Sequence, residues 1–187
     1  MSHHFSCVAG SPVPMHRSAS SAAHLYTALI CEVRHWSQVT CSDATKWHHS
    51  EPRAYDKVLV DAPCSSDRHL ILQRGGAESV LRRDWSPARL KRDASLQIGL
   101  LESALASTRP GGRVVYSTCS LSQTQNDDVV SKALRRRGGT VDFEAASSPC
   151  ALVPGVERTD YGFIALPDST EHGPIFWSAI RVEGRES

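Results

Sequence analysis

The most regular pattern along the chain is a pair of short apolar runs that each lead to a cysteine. The runs occupy residues 57–61 and 113–117 and are rich in valine. Apolar residues that do not alternate with polar ones are typical of parallel strands covered on both faces. Both runs are therefore predicted to be strands of a parallel sheet, with Cys64 just beyond the first strand and Cys119 just beyond the second.

A helical pattern follows each of these strands. Ser86 before Pro87 predicts a helix start, because serine caps the first turn and proline suits the first helical position. A Pro-Gly-Gly sequence ends this helix after an apolar stripe. The spacing of Ser122 and Gln125 is that of a capping box and predicts a second helix, which ends at a Gly-Gly pair. The apolar stripe of the first helix consists of Leu90, Leu96, Leu100, Leu101 and Leu105.

Weaker patterns complete the prediction of an α/β fold. A helix is predicted at 23–34, a strand at 38–40 and a long polar loop at 64–85. Three further strands are predicted at 140–143, 161–166 and 174–182. This order of elements is that of the carboxyl part of a doubly wound domain with antiparallel edge strands.

The amino-terminal segment lacks such patterns. It is rich in Ser, His and Pro, and residues 1–35 are predicted to be a leader or divergent segment that is largely disordered. The first acidic residue is Glu32, which is weakly typical of an organelle-targeting peptide. No apolar run has the length of a membrane span, so no membrane partner is predicted. Residues 36–187 are predicted to form the folded domain.

Charge is distributed unevenly, although the 21 basic and 20 acidic residues nearly cancel. Residues 51–140 carry 15 basic against 10 acidic residues, whereas residues 141–187 carry 3 against 8. A basic half is typical of a surface that binds a polyanion such as a nucleic acid. A solvated helix face explains the same excess equally well.

The cysteines indicate free thiols in a reducing compartment. They are widely scattered, with no Cys-x-x-Cys and no Cys/His spacing of a zinc site, so no metal is predicted. Parallel strands bind ligands beyond their carboxyl ends. Two such strands side by side would present Asp61, Cys64 and Cys119 to one crevice, which is suited to covalent chemistry. The six cysteines are Cys7, Cys31, Cys41, Cys64, Cys119 and Cys150.

Residues 61–69, Asp-Ala-Pro-Cys-Ser-Ser-Asp-Arg-His, and the Ser-Thr-Cys-Ser-Leu-Ser sequence at 117–122 resemble the Sun-domain family of RNA cytosine-5 methyltransferases. The resemblance covers about residues 36–182, with the Val-Thr-Cys-Ser-Asp sequence at 39–43 similar to the family's adenosine-binding strand. It implies a Rossmann-like class I fold and S-adenosyl-L-methionine as cofactor. The motifs look closest to the mitochondrial ribosomal-RNA member, which implies a ribosomal RNA substrate, a mitochondrial location and a helical-repeat RNA-targeting protein partner.

The resemblance also implies roles for individual residues. Cys119 is the expected nucleophile that adds to cytosine C6, and Cys64 helps to remove the C5 proton and release the product. Asp61 is expected to hydrogen-bond N3 of the base and to line the cofactor site with Asp43 and Ala44. An unperturbed thiol is mostly protonated at pH 7, so the site must lower a thiol pKa. The residues expected to hold the RNA backbone are Arg68, Arg82, Arg83, Lys91 and Arg92.

One departure from the family leaves the activity open. The family's cofactor loop is rich in glycine, whereas Gly10 is the only glycine before Gly75. The chain is therefore expected to be a family member that lacks the amino-terminal half with the Gly-rich cofactor motif. The alternative prediction is a catalytically inactive relative that only binds RNA or a protein partner. A thiol-redox enzyme or cysteine hydrolase is weakly supported, because His69 is the only histidine near either strand end.

Overall fold

The computed structural model describes residues 5–9, 40, 42–67, 86–147, 155–166 and 174–184, with residues 5–9 as backbone. The predicted helix at 23–34, nearly all of the strand predicted at 38–40 and most of the loop predicted at 64–85 lie outside these ranges. None of the helices within the described ranges is long and apolar enough to cross a membrane.

Seven strands and four α-helices are described, and their order confirms the α/β class. The strands are β1 (Phe5–Ala9), β2 (Tyr55–Asp61), β3 (Thr108–Thr118), β4 (Thr140–Val141), β5 (Val156–Arg158), β6 (Phe163–Ala165) and β7 (Ile175–Arg181). The helices are α1 (Trp47–Ser50), α2 (Pro87–Ser107), α3 (Asp127–Arg137) and α4 (Phe143–Ser147). Short 3-10 turns occur at Ala44–Lys46 and Gln123–Gln125.

The strands form one mixed sheet in the order β1-β2-β3-β7-β6-β5, with β4 also paired to β7. β1, β2 and β3 run parallel, whereas β7 is antiparallel to β3. β5, β6 and β7 pair antiparallel along the other side of the sheet. This arrangement confirms the predicted antiparallel edge. It also places the carboxyl ends of β2 and β3 side by side.

The larger core lies between the sheet and helices α2 and α3. Val60 and Val114 are fully buried on one face of β2 and β3, and Leu101 of α2 packs in the same cluster. Burying an aliphatic side chain of this size stabilises the fold by ~1.5–3 kcal/mol. On the other face of β7 a smaller cluster contains Phe163 and Trp177. The two faces fix the strand register, because a one-residue slip would exchange them.

The first long helix begins as predicted. The Ser86 side chain accepts a hydrogen bond from the Arg89 backbone N–H at 3.2 Å, and Pro87 is the first helical residue. The helix ends at Ser107, and β3 then begins at Thr108, several residues before the predicted strand. Within β3, a side chain at Gly112 would place its Cβ 2.8 Å from the Asp56 carbonyl oxygen, so only glycine fits there.

The predicted capping box is wrong. The Ser122 side chain makes no capping hydrogen bond, and α3 starts at Asp127 after a 3-10 turn. The Gln125 side chain instead accepts hydrogen bonds from Ser65, more than fifty residues earlier in the chain. The Gln125 side chain therefore makes a tertiary contact instead of the helix cap that the local pattern predicted.

Two other local predictions differ from the structure. The strand predicted at 140–143 stops at Val141, because the Asp142 side chain accepts from the Ala145 backbone N–H at 3.0 Å and starts α4. In the segment predicted to be disordered, Phe5–Ala9 form β1, which pairs with β2 from Phe5↔Lys57 to Ala9↔Asp61. The structure thus describes a strand at these five residues.

Candidate active site

The two cysteine motifs meet where β2 and β3 end. Asp61 lies opposite Ser117 in the parallel ladder, and the Ala62 backbone N–H donates to the Ser117 carbonyl at 3.0 Å. This pairing continues into the following loops and brings the Cys64 and Cys119 sulfurs to 2.9 Å. Both cysteines are free thiols and are half-buried. The sequence predicted this meeting from the shared strand-end pattern.

The contact between the sulfurs changes the acidity of both thiols. A hydrogen bond from Cys119 lowers the pKa of Cys64 to about 7, although burial opposes the shift. The same hydrogen bond, together with burial, raises the pKa of Cys119 above its usual range. The hydrogen bond between the sulfurs therefore favours loss of a proton from Cys64 and disfavours loss of a proton from Cys119. The sequence analysis required the site to lower a thiol pKa, and the second cysteine is the group that does so.

Ser66 also supports the Cys64 thiolate. Its backbone N–H hydrogen bond lowers the pKa of Cys64 further. To present this group, Ser66 adopts a left-handed conformation with φ of 57°, which is uncommon for a residue other than glycine. Backbone strain of this kind is found at sites where a loop must direct a particular group. The sequence analysis did not identify Ser66.

A buried carboxylate joins the two cysteine loops. Asp67, three residues after Cys64, has only 7% of its surface exposed. Its Oδ2 accepts from the Ser120 hydroxyl at 3.0 Å and from the Leu121 backbone N–H at 2.8 Å. Ser120 directly follows Cys119, so these bonds tie the residues after one cysteine to those after the other.

Buried amides hold the same two loops from the side of α3. Gln125 Oε1 accepts from the Ser65 backbone N–H and from its hydroxyl, both at 3.0 Å. Asn126 Oδ1 accepts from the Thr118 hydroxyl at 2.6 Å, and its amide group donates to the Ser120 carbonyl at 2.9 Å. The two thiols are therefore held in place by a polar network. We call the side chains of Ser65, Asp67, Thr118, Ser120, Gln125 and Asn126 the loop brace.

Sequence reasoning missed the loop brace and its neighbour Gln97. Gln97 is fully buried in α2, and its amide group donates to the Pro63 carbonyl at 2.7 Å, one residue before Cys64. A polar residue inside an apolar helical stripe was a usable signal for Gln97. For the brace residues that follow the two cysteines, the only signal was the number of Ser, Asp, Asn and Gln residues there.

Two of the three residues expected to bind the cofactor are exposed, unlike the half-buried thiol pair. Asp61 is exposed at the end of β2, and its carboxylate makes no hydrogen bond or ion pair with the other described residues. Asp43 is also exposed, and hydrogen bonds from Thr45 lower its pKa. Ala44 is buried beside it. The roles of Asp43, Ala44 and Asp61 stay predictions.

Only part of the expected RNA surface is described. Lys91 and Arg92 are exposed in the first turns of α2, and Arg92 lies 3.6 Å from the Asp93 carboxylate. Arg68, Arg82 and Arg83 lie outside the described residues. Among the residues with described positions, no group of three or more His, Cys, Asp or Glu is arranged to hold a metal ion.

Known proteins are similar in sequence to this chain over most of its length. Residues 18–181 match the model of the 16S rRNA methyltransferase RsmB/F family, a range that begins within the segment predicted to be a leader. The chain is 44% identical over 155 residues to 5-cytosine rRNA methyltransferase NSUN4 of Xenopus tropicalis, covering 78% of this chain and 37% of that protein. It is 44% identical over 102 residues to a mitochondrial tRNA (cytosine(34)-C(5))-methyltransferase of Danio rerio, covering 54% of this chain and 27% of that protein.

Solved structures share the fold. NSun6 from Pyrococcus horikoshii superposes with a TM-score of 0.66 at 22% identity, over 88% of this chain and 40% of the other. A methyltransferase homologue from the same organism gives a TM-score of 0.54 at 23% identity, over 85% of this chain and 49% of the other. These structures confirm the predicted Rossmann-like methyltransferase fold, of which this chain holds part. The chain spans about a quarter to two fifths of the curated relatives' lengths. The chain belongs to the RsmB/F family of 16S rRNA methyltransferases.

Proposed function

We propose that this chain carries the thiol chemistry of an S-adenosyl-L-methionine-dependent RNA cytosine-5 methyltransferase, with ribosomal RNA as substrate. The observation that carries the proposal is the 2.9 Å contact between Cys64 and Cys119 at the ends of two parallel strands. Family membership and the names of the relatives agree with a methyl transfer to cytosine. A mitochondrial location is proposed on the same ground, because a similar tRNA methyltransferase is named as mitochondrial.

The chemistry requires a nucleophile because C5 of cytosine is a poor one. A sulfur that adds to C6 breaks the conjugation of the ring and leaves C5 able to attack an electrophilic methyl group. In our proposal Cys119 forms the bond to C6. Its proton moves to Cys64, which is the hydrogen-bonded thiolate of the pair. Cys64 therefore acts first as the base that activates Cys119.

Cys64 then acts a second time. After it has released the Cys119 proton to solvent, its thiolate accepts the proton that leaves C5 once the methyl group is in place. The electron pair of that C–H bond re-forms the C5–C6 double bond, and the bond between C6 and Cys119 breaks. A thiol pKa of about 7 suits a group that must take up and give back protons near neutral pH.

Asp61 is proposed to hold the base. It lies at the carboxyl end of β2, three residues before Cys64, and its carboxylate is exposed without a described partner. A proton on this carboxyl group would donate a hydrogen bond to N3, where negative charge develops as sulfur adds to C6.

The described residues fit the adenosine end of the cofactor. Asp61 offers acceptor oxygens that other described side chains do not use, and Asp43 lies at the exposed start of the turn that contains Ala44. When bound, S-adenosyl-L-methionine supplies the methyl group. A glycine-rich cradle for its methionine end is not present between Gly10 and Gly75.

RNA binding is proposed for the basic part of the chain. Lys91 and Arg92 are exposed at the start of α2, the helix whose Gln97 contacts the loop before Cys64. Phosphate contacts from such residues would hold the RNA backbone while an unpaired or flipped cytosine enters the site. A helical-repeat protein partner stays part of the proposal and is carried only by the resemblance.

The second candidate is a chain that binds RNA without methylating it. It is favoured by the lack of glycines between Gly10 and Gly75, because a cofactor loop needs them for close backbone approach. Cofactor binding distinguishes the candidates. Calorimetry should show saturable binding of S-adenosyl-L-methionine and a rise in melting temperature if the pocket is complete. A cooperative melt without binding would favour the second candidate.

The test of the chemistry uses RNA that contains 5-fluorocytosine, which blocks release of the covalent adduct. With the cofactor present, the chain should form a complex with this RNA that survives denaturation. Cys119→Ala should abolish the complex. Cys64→Ala should still form it, but more slowly, because the base that activates Cys119 is lost. Cys150→Ser is the control for loss of a thiol. A complex that persists in Cys119→Ala would overturn the assignment of the nucleophile.

A further inference from the structure

The thiol pair has a chemistry of its own that does not require RNA. The Cys64 and Cys119 sulfurs lie 2.9 Å apart and both are free. A disulfide bond is ~2.05 Å long, so bond formation requires the sulfurs to approach by less than ~1 Å. Both residues are half-buried, so neither is fully enclosed by the described residues.

The loop brace holds this geometry. The Ser65 and Ser120 hydroxyls lie 2.9 Å apart, and each serine directly follows one of the two cysteines. Asp67 bonds to Ser120 and to the Leu121 backbone, again across the two loops. Because these residues are buried, the sulfurs are held close in the folded state and do not meet by chance. Such an arrangement raises the effective concentration of one thiol at the other.

We propose that Cys64 and Cys119 form a reversible intramolecular disulfide when a small-molecule disulfide such as oxidised glutathione is present. The pair is then a redox modification site in addition to its proposed role in methyl transfer. The inference that the bond forms does not rest on the proposed function. Its consequence does, since a disulfide would remove both the nucleophile and its base.

The reaction is a pair of thiol–disulfide exchanges. The Cys64 thiolate attacks one sulfur of oxidised glutathione, forms a mixed disulfide and releases a glutathione thiolate. Cys119 gives up its proton and attacks the Cys64 sulfur, and the second glutathione thiolate leaves. Each thiolate released takes up a proton, so two protein thiols are oxidised while one glutathione disulfide is reduced to two thiols. The lowered pKa of Cys64 favours it as the first attacking sulfur.

Mass spectrometry tests the bond directly. The purified chain is equilibrated in buffers of oxidised and reduced glutathione, its remaining thiols are alkylated, and it is digested with trypsin. Cleavage after basic residues gives one peptide at 58–68, which contains Cys64, and one at 114–132, which contains Cys119. The expected product is these two peptides joined and lighter by two hydrogens. Dithiothreitol should separate them again.

Substitutions and unfolding provide the controls. Cys64→Ser and Cys119→Ser should each abolish the joined peptide, whereas Cys150→Ser should leave it unchanged. In guanidinium chloride the fold that holds the two sulfurs together is lost. The native chain should therefore form the bond at an oxidised glutathione concentration lower than that required by the unfolded chain, by roughly tenfold or more. Glutathione retained on Cys64 without a joined peptide would overturn the proposal, as would an equal yield from the native and unfolded chains.

Methyl transfer provides a separate readout. If the chain methylates RNA, oxidation should abolish the activity and dithiothreitol should restore it in parallel with the loss of the joined peptide. A chain that forms the disulfide but never methylates RNA would support the redox site and count against the proposed function. A chain that methylates RNA equally in its oxidised and reduced states would count against the consequence proposed for the bond.

Discussion

Asp67 provides the sharpest test of how the two cysteine loops are held together. Its carboxylate is 7% exposed and accepts from the Ser120 hydroxyl and the Leu121 backbone N–H at 3.0 and 2.8 Å. Hydrogen bonds to a charged group stabilise by roughly 1.5–3 kcal/mol each. Asp67→Ala removes both acceptor contacts. Because Leu121 is partly exposed, water replaces some of the loss, and we expect destabilisation of about 2–4 kcal/mol.

Urea denaturation followed by circular dichroism measures the loss in free energy of unfolding, and a thermal melt measures the change in melting temperature. For a chain of this size, ~1 kcal/mol lowers the melting temperature by roughly 2–4 °C, so a fall of about 5–15 °C is expected. The matched control is Asp160→Ala, because Asp160 is exposed, and its effect should stay within ~0.5 kcal/mol. If Asp67→Ala also stays within ~0.5 kcal/mol, the loop brace does not stabilise the folded state.

The remaining predictions concern acidity, packing and RNA. Cys119→Ala removes the donor to Cys64, so the pH midpoint for alkylation of Cys64 should rise from about 7 toward 9.0. Cys119→Ser keeps a hydroxyl donor and should shift the midpoint less. An unchanged midpoint in Cys119→Ala would exclude the hydrogen bond as the cause of the lowered pKa. Leu101→Ala should destabilise by about 2–5 kcal/mol in a denaturant titration, because this side chain is fully buried, whereas the partly exposed Leu121 should tolerate alanine; equal losses would contradict the described core. Lys91→Glu combined with Arg92→Glu should weaken RNA binding and reduce the slope of log affinity against log salt by about 2, as measured by fluorescence anisotropy. The same charge change at Lys132 and Arg135 in α3 is the control, and an equal loss there would indicate non-specific attraction.

The sequence predicted the fold class and the meeting of the thiols, because both depend on local patterns. Buried strands reveal themselves by their apolar runs, and parallel strands must present their carboxyl ends to one edge. Cys64 and Cys119 follow from these two rules. The start of α2 was equally local, since Ser86 and Pro87 determine it within one turn.

The rest depends on contacts between distant segments. Gln125 was interpreted as part of a helix cap, but its side chain bonds to Ser65 because the loop after β2 packs beside it. Likewise, the Gly112 backbone must approach Asp56 of β2 closely, and this requirement is visible only once the strands are paired. The direction of each thiol's pKa shift could be assigned only from the structure, because the sequence motifs do not indicate which thiol donates the hydrogen bond.

The separation of the two cysteines along the chain has a consequence for how the protein can be monitored. Cys64 and Cys119 are 55 residues apart in sequence, and their sulfurs meet only when β2 and β3 are paired. In the unfolded chain both of these cysteines are therefore ordinary thiols, and the acidic thiol of Cys64 exists only in the assembled sheet. The rate at which a reagent alkylates Cys64 at neutral pH therefore reports on folding at the centre of the sheet. No further probe has to be introduced into the sequence.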